Sequence, residues 1–206
     1  MEAGNYKDAL SLLEKSLKMN IEVLGGDHMS NAAIFTVVSN VYTKQKEYEK
    51  ALMQLKKVEQ IYLQHSNDPL LQSEHIGNTY LEMARVLNKS KDDVQSNLLE
   101  AIEYQSKAVE AFSGLEKYAD TDYLAGIIMQ LSELQDKAGQ VEDALESLRV
   151  VEKIYKNNYS EVHAKTCKVK RNISLLCLKS DRNDDALNEL REVEDLERAL
   201  YGESST

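Results

Sequence analysis

The stretch Ala51-Leu-Met-Gln-Leu-Lys-Lys-Val-Glu-Gln-Ile-Tyr62 decides the fold, because the chain repeats it. It recurs as Ala144-Leu-Glu-Ser-Leu-Arg-Val-Val-Glu-Lys-Ile-Tyr155 and as Ala186-Leu-Asn-Glu-Leu-Arg-Glu-Val-Glu-Asp-Leu196. Weaker copies begin at Ala9 and Ala101, so the first alanines of successive copies are separated by 42, 50, 43 and 42 residues. A period near 42 residues with one insertion predicts a repeat protein and not a globule with a single central core.

Each copy has the pattern of an amphipathic helix. In the copy that starts at Ala51, apolar residues at 51, 52, 55, 58 and 62 follow a period of 3.6 residues. A second apolar segment precedes each copy across a short polar turn, and a serine stands twelve residues before three of the alanines, at Ser39, Ser132 and Ser174. Small residues at both positions let two antiparallel helices cross closely. The sequence therefore predicts helical hairpins stacked on their neighbours.

The hairpins resemble the tetratricopeptide repeat (TPR). The matching residues are the run Tyr42-x5-Tyr48-x2-Ala51, the run Gly4-x-Tyr6-x2-Ala9 and a glycine at Gly139, five residues before an alanine. The usual repeat has 34 residues, and a period near 42 is typical of kinesin light chain and its relatives. The segments 12–17 and 23–28 are similar to the light-chain repeat, with Met29 where that family usually has proline.

This resemblance covers essentially the whole chain and implies an all-α, right-handed α-solenoid of stacked antiparallel helical hairpins, a TPR-like superhelix. We expect one TPR-like domain over 1–206. Residues 1–26 form the second helix of a hairpin without its first helix, and full repeats follow over 27–66, 67–116, 117–159 and 160–206. The insertion near 89–97 is either a longer turn or an extra turn of helix. Because neither end shows a polar capping helix, we expect a fragment of a longer protein.

Composition excludes several classes of protein. The 206 residues include 35 acidic and 25 basic side chains, a net charge of −10, which argues against a general nucleic-acid surface. No apolar run approaches the ~18–20 residues of a membrane helix, so no membrane insertion is expected. The N-terminus lacks a signal peptide, and Cys167 and Cys177 lie ~15 Å apart if they share one helix, beyond disulfide reach. We therefore expect a cytoplasmic protein, and the resemblance to kinesin light chain implies association with the cytoskeleton.

The sequence contains no pattern typical of a catalytic or metal site. The four histidines are scattered, and none has the spacing of a metal ligand: His28, His65, His75 and His163. Asp27 and His28 are interpreted as a cap at a helix start, and Asp92-Asp93 as acids that complement a helix dipole. We expect no catalytic residue, no cofactor and no metal.

Binding residues are instead predicted on the first helix of the last hairpin, roughly residues 163–182. This segment carries a charge of +5. Five cations fall within ~120° of arc, opposite an apolar arc of Val169, Ile173, Leu176 and Cys177. These cations are Lys165, Lys168, Arg171, Lys179 and Arg182. We define them as the basic stripe. It is either a docking surface for an acidic peptide or helix, or a solvated face balanced by the acidic helix that follows.

The register of tetratricopeptide repeats places Asn40, Thr43 and Lys44 in the groove as well. The function expected is that of a noncatalytic scaffold or adaptor that binds a protein or peptide partner in the concave groove. The resemblance to kinesin light chain implies a role in motor–cargo, cytoskeletal or ciliary assembly. Two alternatives remain open from the sequence. One is a regulatory module of an enzyme or signalling protein, and the other is a structural element that self-associates through its uncapped ends.

Overall fold

The structure, a computed structural model, describes residues 3–65, 69–91 and 93–202. Within these ranges the chain forms nine α-helices and no strand, which confirms the all-α prediction. The helices are α1 (Ala3–Leu24), α2 (Met29–Gln45), α3 (Tyr48–His65), α4 (Pro69–Lys89), α5 (Val94–Ser113), α6 (Asp122–Lys137), α7 (Val141–Asn158), α8 (Ala164–Lys179) and α9 (Asn183–Tyr201). Residues 1, 66, 67 and 206, where some predicted repeat ends fall, and Asp92 lie outside the described residues.

The hairpin turns share one backbone device. Lys46, Gly139 and Asp181 all adopt a left-handed conformation, with φ of 65°, 78° and 57°, between the two helices of a hairpin. A left-handed residue cannot continue a right-handed helix, so the first helix ends there. The Lys46 N–H, for example, donates to the Thr43 carbonyl oxygen at 3.1 Å. The chain then reverses, and α2 packs against α3, α6 against α7 and α8 against α9.

Small residues mark the helix crossings, as the sequence predicts. Ser39, Ser132 and Ser174 are all buried, and the alanines at 51, 101, 144 and 186 have no exposed surface. Ala9, the corresponding residue of α1, is only half-buried, because within the described residues α1 has no hairpin partner of its own. On the same helix Met19 is 66% exposed, whereas Ile61 and Ile154 at the equivalent positions of α3 and α7 are 3% exposed.

The insertion lengthens both the helices and the turn of its hairpin. Helix α4 has 21 residues, against 17 in α2 and 16 each in α6 and α8. The connection from α4 to α5 covers residues 90–93, of which Asp93 accepts a hydrogen bond from the Ser96 N–H through Oδ1 at 3.4 Å. The extra residues are therefore shared between an additional helical turn and a longer connection.

The chain divides into two compact units, Met1–Ala111 and Phe112–Thr206. In the first unit, Ala32 and Phe35 of α2 pack with Val58 and Ile61 of α3, and Leu17 of α1 joins them. In the second unit, α6–α9 bury leucine, isoleucine and valine side chains from every helix. Each such side chain stabilises the fold by ~1.5–3 kcal/mol. This second unit carries the candidate site.

Candidate functional site

Helix α8, which carries most of the basic stripe, is anchored at its start and along its apolar arc. His163 caps the helix, since its Nδ1 accepts a hydrogen bond from the Lys165 N–H at 3.2 Å. His28 caps α2 in the same way, through Ser30 N–H. The predicted apolar arc of α8 is buried, with Val169 and Ile173 fully covered. The opposite arc, with the cations, is thereby held outward.

Two cations of the stripe tie α8 to α6. Lys165 Nζ donates to Asp122, and Lys179 Nζ donates to Asp136. Both pairs join residues that are 43 apart in sequence. A constant offset means that α6 and α8 run side by side in the same direction. The pairs, which we call the two Lys–Asp rungs, lie 14 residues apart on each helix, or about 21 Å.

The first rung is held by aromatic side chains. The Tyr159 hydroxyl donates to Asp122 and accepts from Lys165 Nζ at 2.9 Å. The Lys165 ammonium also lies 4.5 Å from the centre of the Tyr159 ring, and His163 stacks on that ring at 4.3 Å. The hydrogen bonds from Lys165 and Tyr159 hold the pKa of Asp122 below its usual value, and the bond to Asp122 raises the pKa of Lys165.

A cleft of about 490 Å³ lies between α6 and α8. Half of the residues that line it are apolar: Met129, Leu148, Leu175, Leu176 and Leu178. Leu148 and Leu176 are buried and form its floor, whereas Leu175 is 57% exposed. The polar lining residues are Ser132, Glu133, Asp136, Asn172 and Lys179. The second rung stands at one end of the cleft. Asn172 of α8 lies at the same height along the cleft as Met129 of α6, because these residues are also 43 apart in sequence.

The remaining stripe cations differ in their contacts. Arg171 pairs with Glu197 of α9, and Arg182 contacts Glu142 of α7 at 3.2 Å and Asp185 at 2.8 Å. Lys168 is exposed and has no acidic partner in the part of the chain that the structure describes. Most of the stripe's charge is thus neutralised inside the unit. The acidic helix α9 supplies part of that balance, and α6 and α7 supply the rest.

The predicted basic stripe leaves out a sixth cation of residues 163–182, Lys170, which is 3% exposed. Its Nζ lies 2.9 Å from Glu152, 3.1 Å from Glu189 and 2.6 Å from Glu192. Burial would raise the pKa of Glu152, but hydrogen bonds from Lys170 and Arg149 lower it to about 2. The signal was present in the sequence: on a helical wheel Lys170 lies about 140° from Lys165, at the edge of the apolar arc.

The three residues predicted in the first unit have different surroundings. Asn40 is half-buried, and its Oδ1 accepts a hydrogen bond from Arg85 of α4 at 3.1 Å. Thr43 is buried, and its hydroxyl donates to the Ser39 carbonyl oxygen of its own helix at 2.9 Å. Lys44 is exposed. The hydrogen-bonding capacity of Thr43 is therefore directed into α2, and that of Asn40 is shared with Arg85.

Within residues 3–65, 69–91 and 93–202, no group of three or more His, Cys, Asp or Glu side chains is placed to hold a metal ion. The helices in these ranges are also too short or too polar to cross a membrane. Cys167 and Cys177 are buried and free, and burial raises the pKa of both thiols.

Comparison with known proteins shows which folds this chain resembles. The tetratricopeptide repeat family model matches residues 1–64. No curated protein matches the sequence. The crystal structure of a putative kinesin light chain from Podosopora anserina, with nearly identical TPR-like repeats, is similar with a TM-score of 0.72 at 18% identity. The match covers 96% of this chain and 90% of that one.

Two further crystal structures are similar at lower scores. BtubC (BKLC) from P. vanneervenii has a TM-score of 0.62 at 14% identity, over 98% of this chain and 75% of that one. Aspartyl phosphate phosphatase F from Bacillus subtilis has a TM-score of 0.55 at 14% identity, over 95% of this chain and 47% of that one. Residues 1–64 thus match the tetratricopeptide repeat family, and the described helices have the stacked-hairpin fold of kinesin-light-chain-like TPR structures.

Proposed function

We propose that this chain is a noncatalytic protein-interaction scaffold, and that its second unit binds a segment of a partner protein in the cleft between α6 and α8. The observation that carries the proposal is Leu175. It is 57% exposed in a cleft whose floor is apolar. Covering such a side chain together with Met129 removes apolar surface from water, at about 25 cal/mol for each Å².

The walls of the cleft are fixed before any partner arrives. The two Lys–Asp rungs connect α6 and α8, and the apolar arc of α8 is packed against the rest of the unit. A binding surface that is already ordered loses little conformational entropy when a partner binds. The cleft therefore suits the capture of a short, flexible segment, which supplies most of the ordering cost itself.

The narrower part of the proposal concerns the assembly. The repeat period near 42 residues, shared with kinesin light chain, supports an adaptor in motor–cargo, cytoskeletal or ciliary assembly in the cytoplasm. Of the basic stripe, Lys168 is the cation best placed to meet an acidic group of the partner, because the other four already contact carboxylates.

A second candidate function is self-association through α1. Leu12, Met19 and Val23 are 67%, 66% and 79% exposed and lie on one face of that helix. A second copy of the chain that covers this face would remove these three apolar side chains from water. Light scattering over a hundredfold range of protein concentration separates the candidates, since self-association raises the mean mass and a monomeric scaffold keeps it constant.

The test of the cleft compares two exposed apolar residues of the second unit. Leu175→Asp places a charge in the cleft, and Val150→Asp places one on α7, where Val150 is 44% exposed. Partners captured by the unaltered chain from an extract are quantified for both variants and then re-measured as purified proteins. We expect Leu175→Asp to lose partners that Val150→Asp retains. Equal capture by both variants contradicts the proposal.

A further inference from the structure

We infer that the cleft selects an extended partner segment with an acidic, an apolar and a basic side chain at alternate positions, written Asp/Glu-x-Leu-x-Lys/Arg in either direction. This inference rests on the proposed function and adds the chemistry of the partner. It comes from two exposed charges that no described residue neutralises, one that lines the cleft and one that lies a helical turn before its lining on α8.

Lys168 of α8 and Glu133 of α6 are these two charges. Both are exposed, and neither has an ion pair or hydrogen bond with the described residues. Lys168 shares one face of α8 with Asn172 and Leu175, at spacings of four and seven residues. Glu133 lines the cleft on the opposite wall, next to Asp136, which Lys179 neutralises. One wall thus carries an unneutralised anion, and the helix of the other wall carries an unneutralised cation one turn before the cleft.

The offset between α6 and α8 gives the distance between these charges along the cleft. Adding 43 places Glu133 level with Leu176, which is eight residues after Lys168. At 1.5 Å per residue the two charges are about 12 Å apart along the helix axes. Met129, which lines the cleft on the same wall as Glu133, lies about midway between them, and Leu175 lies close to the level of Glu133. A partner that neutralises both charges and covers these apolar side chains therefore needs an acid and a base about 12 Å apart along the cleft, with an apolar side chain between them.

An extended chain meets this requirement. Side chains at i, i+2 and i+4 of a strand point to the same face, and the first and last are about 13 Å apart. An α-helix spans the same distance only with charges about eight residues apart, and its backbone N–H and C=O groups are already bonded to one another. Asn172 also has no hydrogen-bond partner in the described part of the chain, and its amide can donate to and accept from an extended backbone.

Segments with charges of one sign are disfavoured. An acidic side chain next to Glu133 meets a like charge, and Asp136 lies one turn further along the same wall. A basic side chain next to Lys168 meets the same difficulty, with Lys165 three residues away on α8. Like charges at such distances repel, so the cleft discriminates by rejection as well as by attraction.

The experiment uses the full chain and three synthetic peptides: Gly-Asp-Ser-Leu-Ser-Lys-Gly, the same peptide with two aspartates, and the same peptide with two lysines. Affinities are measured by calorimetry up to 1 mM peptide at low salt. We expect the mixed-charge peptide to bind about fivefold more tightly than either of the others. Lys168→Glu should make the two-lysine peptide the tightest binder, and Glu133→Lys should do the same for the two-aspartate peptide.

Matched controls come from α7. Lys153→Glu and Glu146→Lys alter exposed charges away from the cleft, and both should leave the order of affinities unchanged. The inference is overturned if the three peptides bind equally, if the mixed-charge peptide does not bind at 1 mM, or if the cleft variants keep the original order.

Leu175→Asp separates failure of this inference from failure of the proposed function. If the three peptides bind equally and Leu175→Asp abolishes binding of all three, the cleft is the binding site and only the charge selection is wrong. If Leu175→Asp has no effect on any peptide that binds, the cleft is not the binding site, and the proposed function fails together with the inference.

Discussion

The Ser132 hydroxyl donates a hydrogen bond of 3.1 Å to the carbonyl oxygen of Ala144, twelve residues later. Ser132 is 3% exposed and Ala144 has no exposed surface. A bond from a side chain of one helix to the backbone of the next requires the two helices to be in close contact. The pair that the repeat pattern singles out is therefore the point at which α6 and α7 touch.

A larger side chain at this contact should destabilise the second unit. We expect Ala144→Leu to lower the free energy of unfolding by ~1–3 kcal/mol, because a tightly packed crossing has no room for three more carbon atoms. Urea denaturation followed by circular dichroism measures the change. Glu146→Leu, at an exposed position of the same helix, is the control and should change stability by less than ~0.5 kcal/mol. Equal effects of the two substitutions contradict this account of the crossing.

Replacing the left-handed lysine of the first hairpin should stabilise the protein. Lys46 has a φ of 65°, which costs a residue with a side chain ~1–2 kcal/mol and glycine very little. We expect Lys46→Gly to raise the free energy of unfolding by ~0.5–1 kcal/mol, since glycine also loses more entropy on folding. Lys44→Gly, two residues earlier inside α2, should instead lower it by ~0.5–1 kcal/mol. Thermal melting of both variants checks the opposite signs.

The buried cation Lys170 should be essential to stability at neutral pH. Lys170→Met removes the buried cation that Glu152 and Glu189 share and leaves Arg149 as their remaining common partner, and we expect a loss of ~1–3 kcal/mol. Lys168→Met, an exposed cation on the same helix, is the control and should change stability by less than ~0.5 kcal/mol.

The pH dependence of the same network has a definite sign. Because the pKa of Glu152 is lowered to about 2 in the folded protein, its contribution is complete above the ordinary glutamate value of about 4.3. It is lost as the pH falls from there toward 2. The stability difference between the unaltered chain and Lys170→Met should shrink over this range, because protonated carboxyls no longer need the cation. Denaturant titrations at pH 7, 4 and 3 measure it, and a difference that stays constant with pH is the contrary result.

The second Lys–Asp rung should contribute more to binding than to folding. Lys179 and Asp136 are partly exposed, so their coupling in a double-mutant cycle with serine should be below ~1 kcal/mol and should fall in 1 M salt. The same variants should weaken the mixed-charge peptide, because the walls of the cleft are no longer held at a fixed spacing. Calorimetry and urea denaturation on the same samples distinguish the two effects. A large loss of stability with unchanged binding reverses the prediction.

Local patterns allowed much of the fold to be predicted. The helices, the small residues at their crossings and the capping role of His28 all depend on neighbours within about twelve residues, and the structure confirms them. Short motifs also predicted the likeness to the tetratricopeptide repeat, since the alanine recurs in every copy, and tyrosine and glycine each precede it at a fixed distance in two copies.

The candidate site was less predictable, because its charges are paired across sequence distances of about 40 residues. A helical wheel shows that Lys165, Arg171 and Lys179 share an arc of α8. It does not show that two of them meet aspartates of α6 and the third a glutamate of α9. Lys170 was counted with the positive charge of α8, and only the packing of α7 and α9 around it reveals three carboxylates at its ammonium group.

The two rungs have a geometric consequence for recognition. The buried apolar arc of α8 holds the helix in the unit, and two ion pairs about 21 Å apart join it to α6 at two separate levels. The separation of Lys168 from Glu133 is then a constant of the unit and does not adapt to each partner. Such a cleft can distinguish two segments that carry the same charges by the number of residues between their charged side chains.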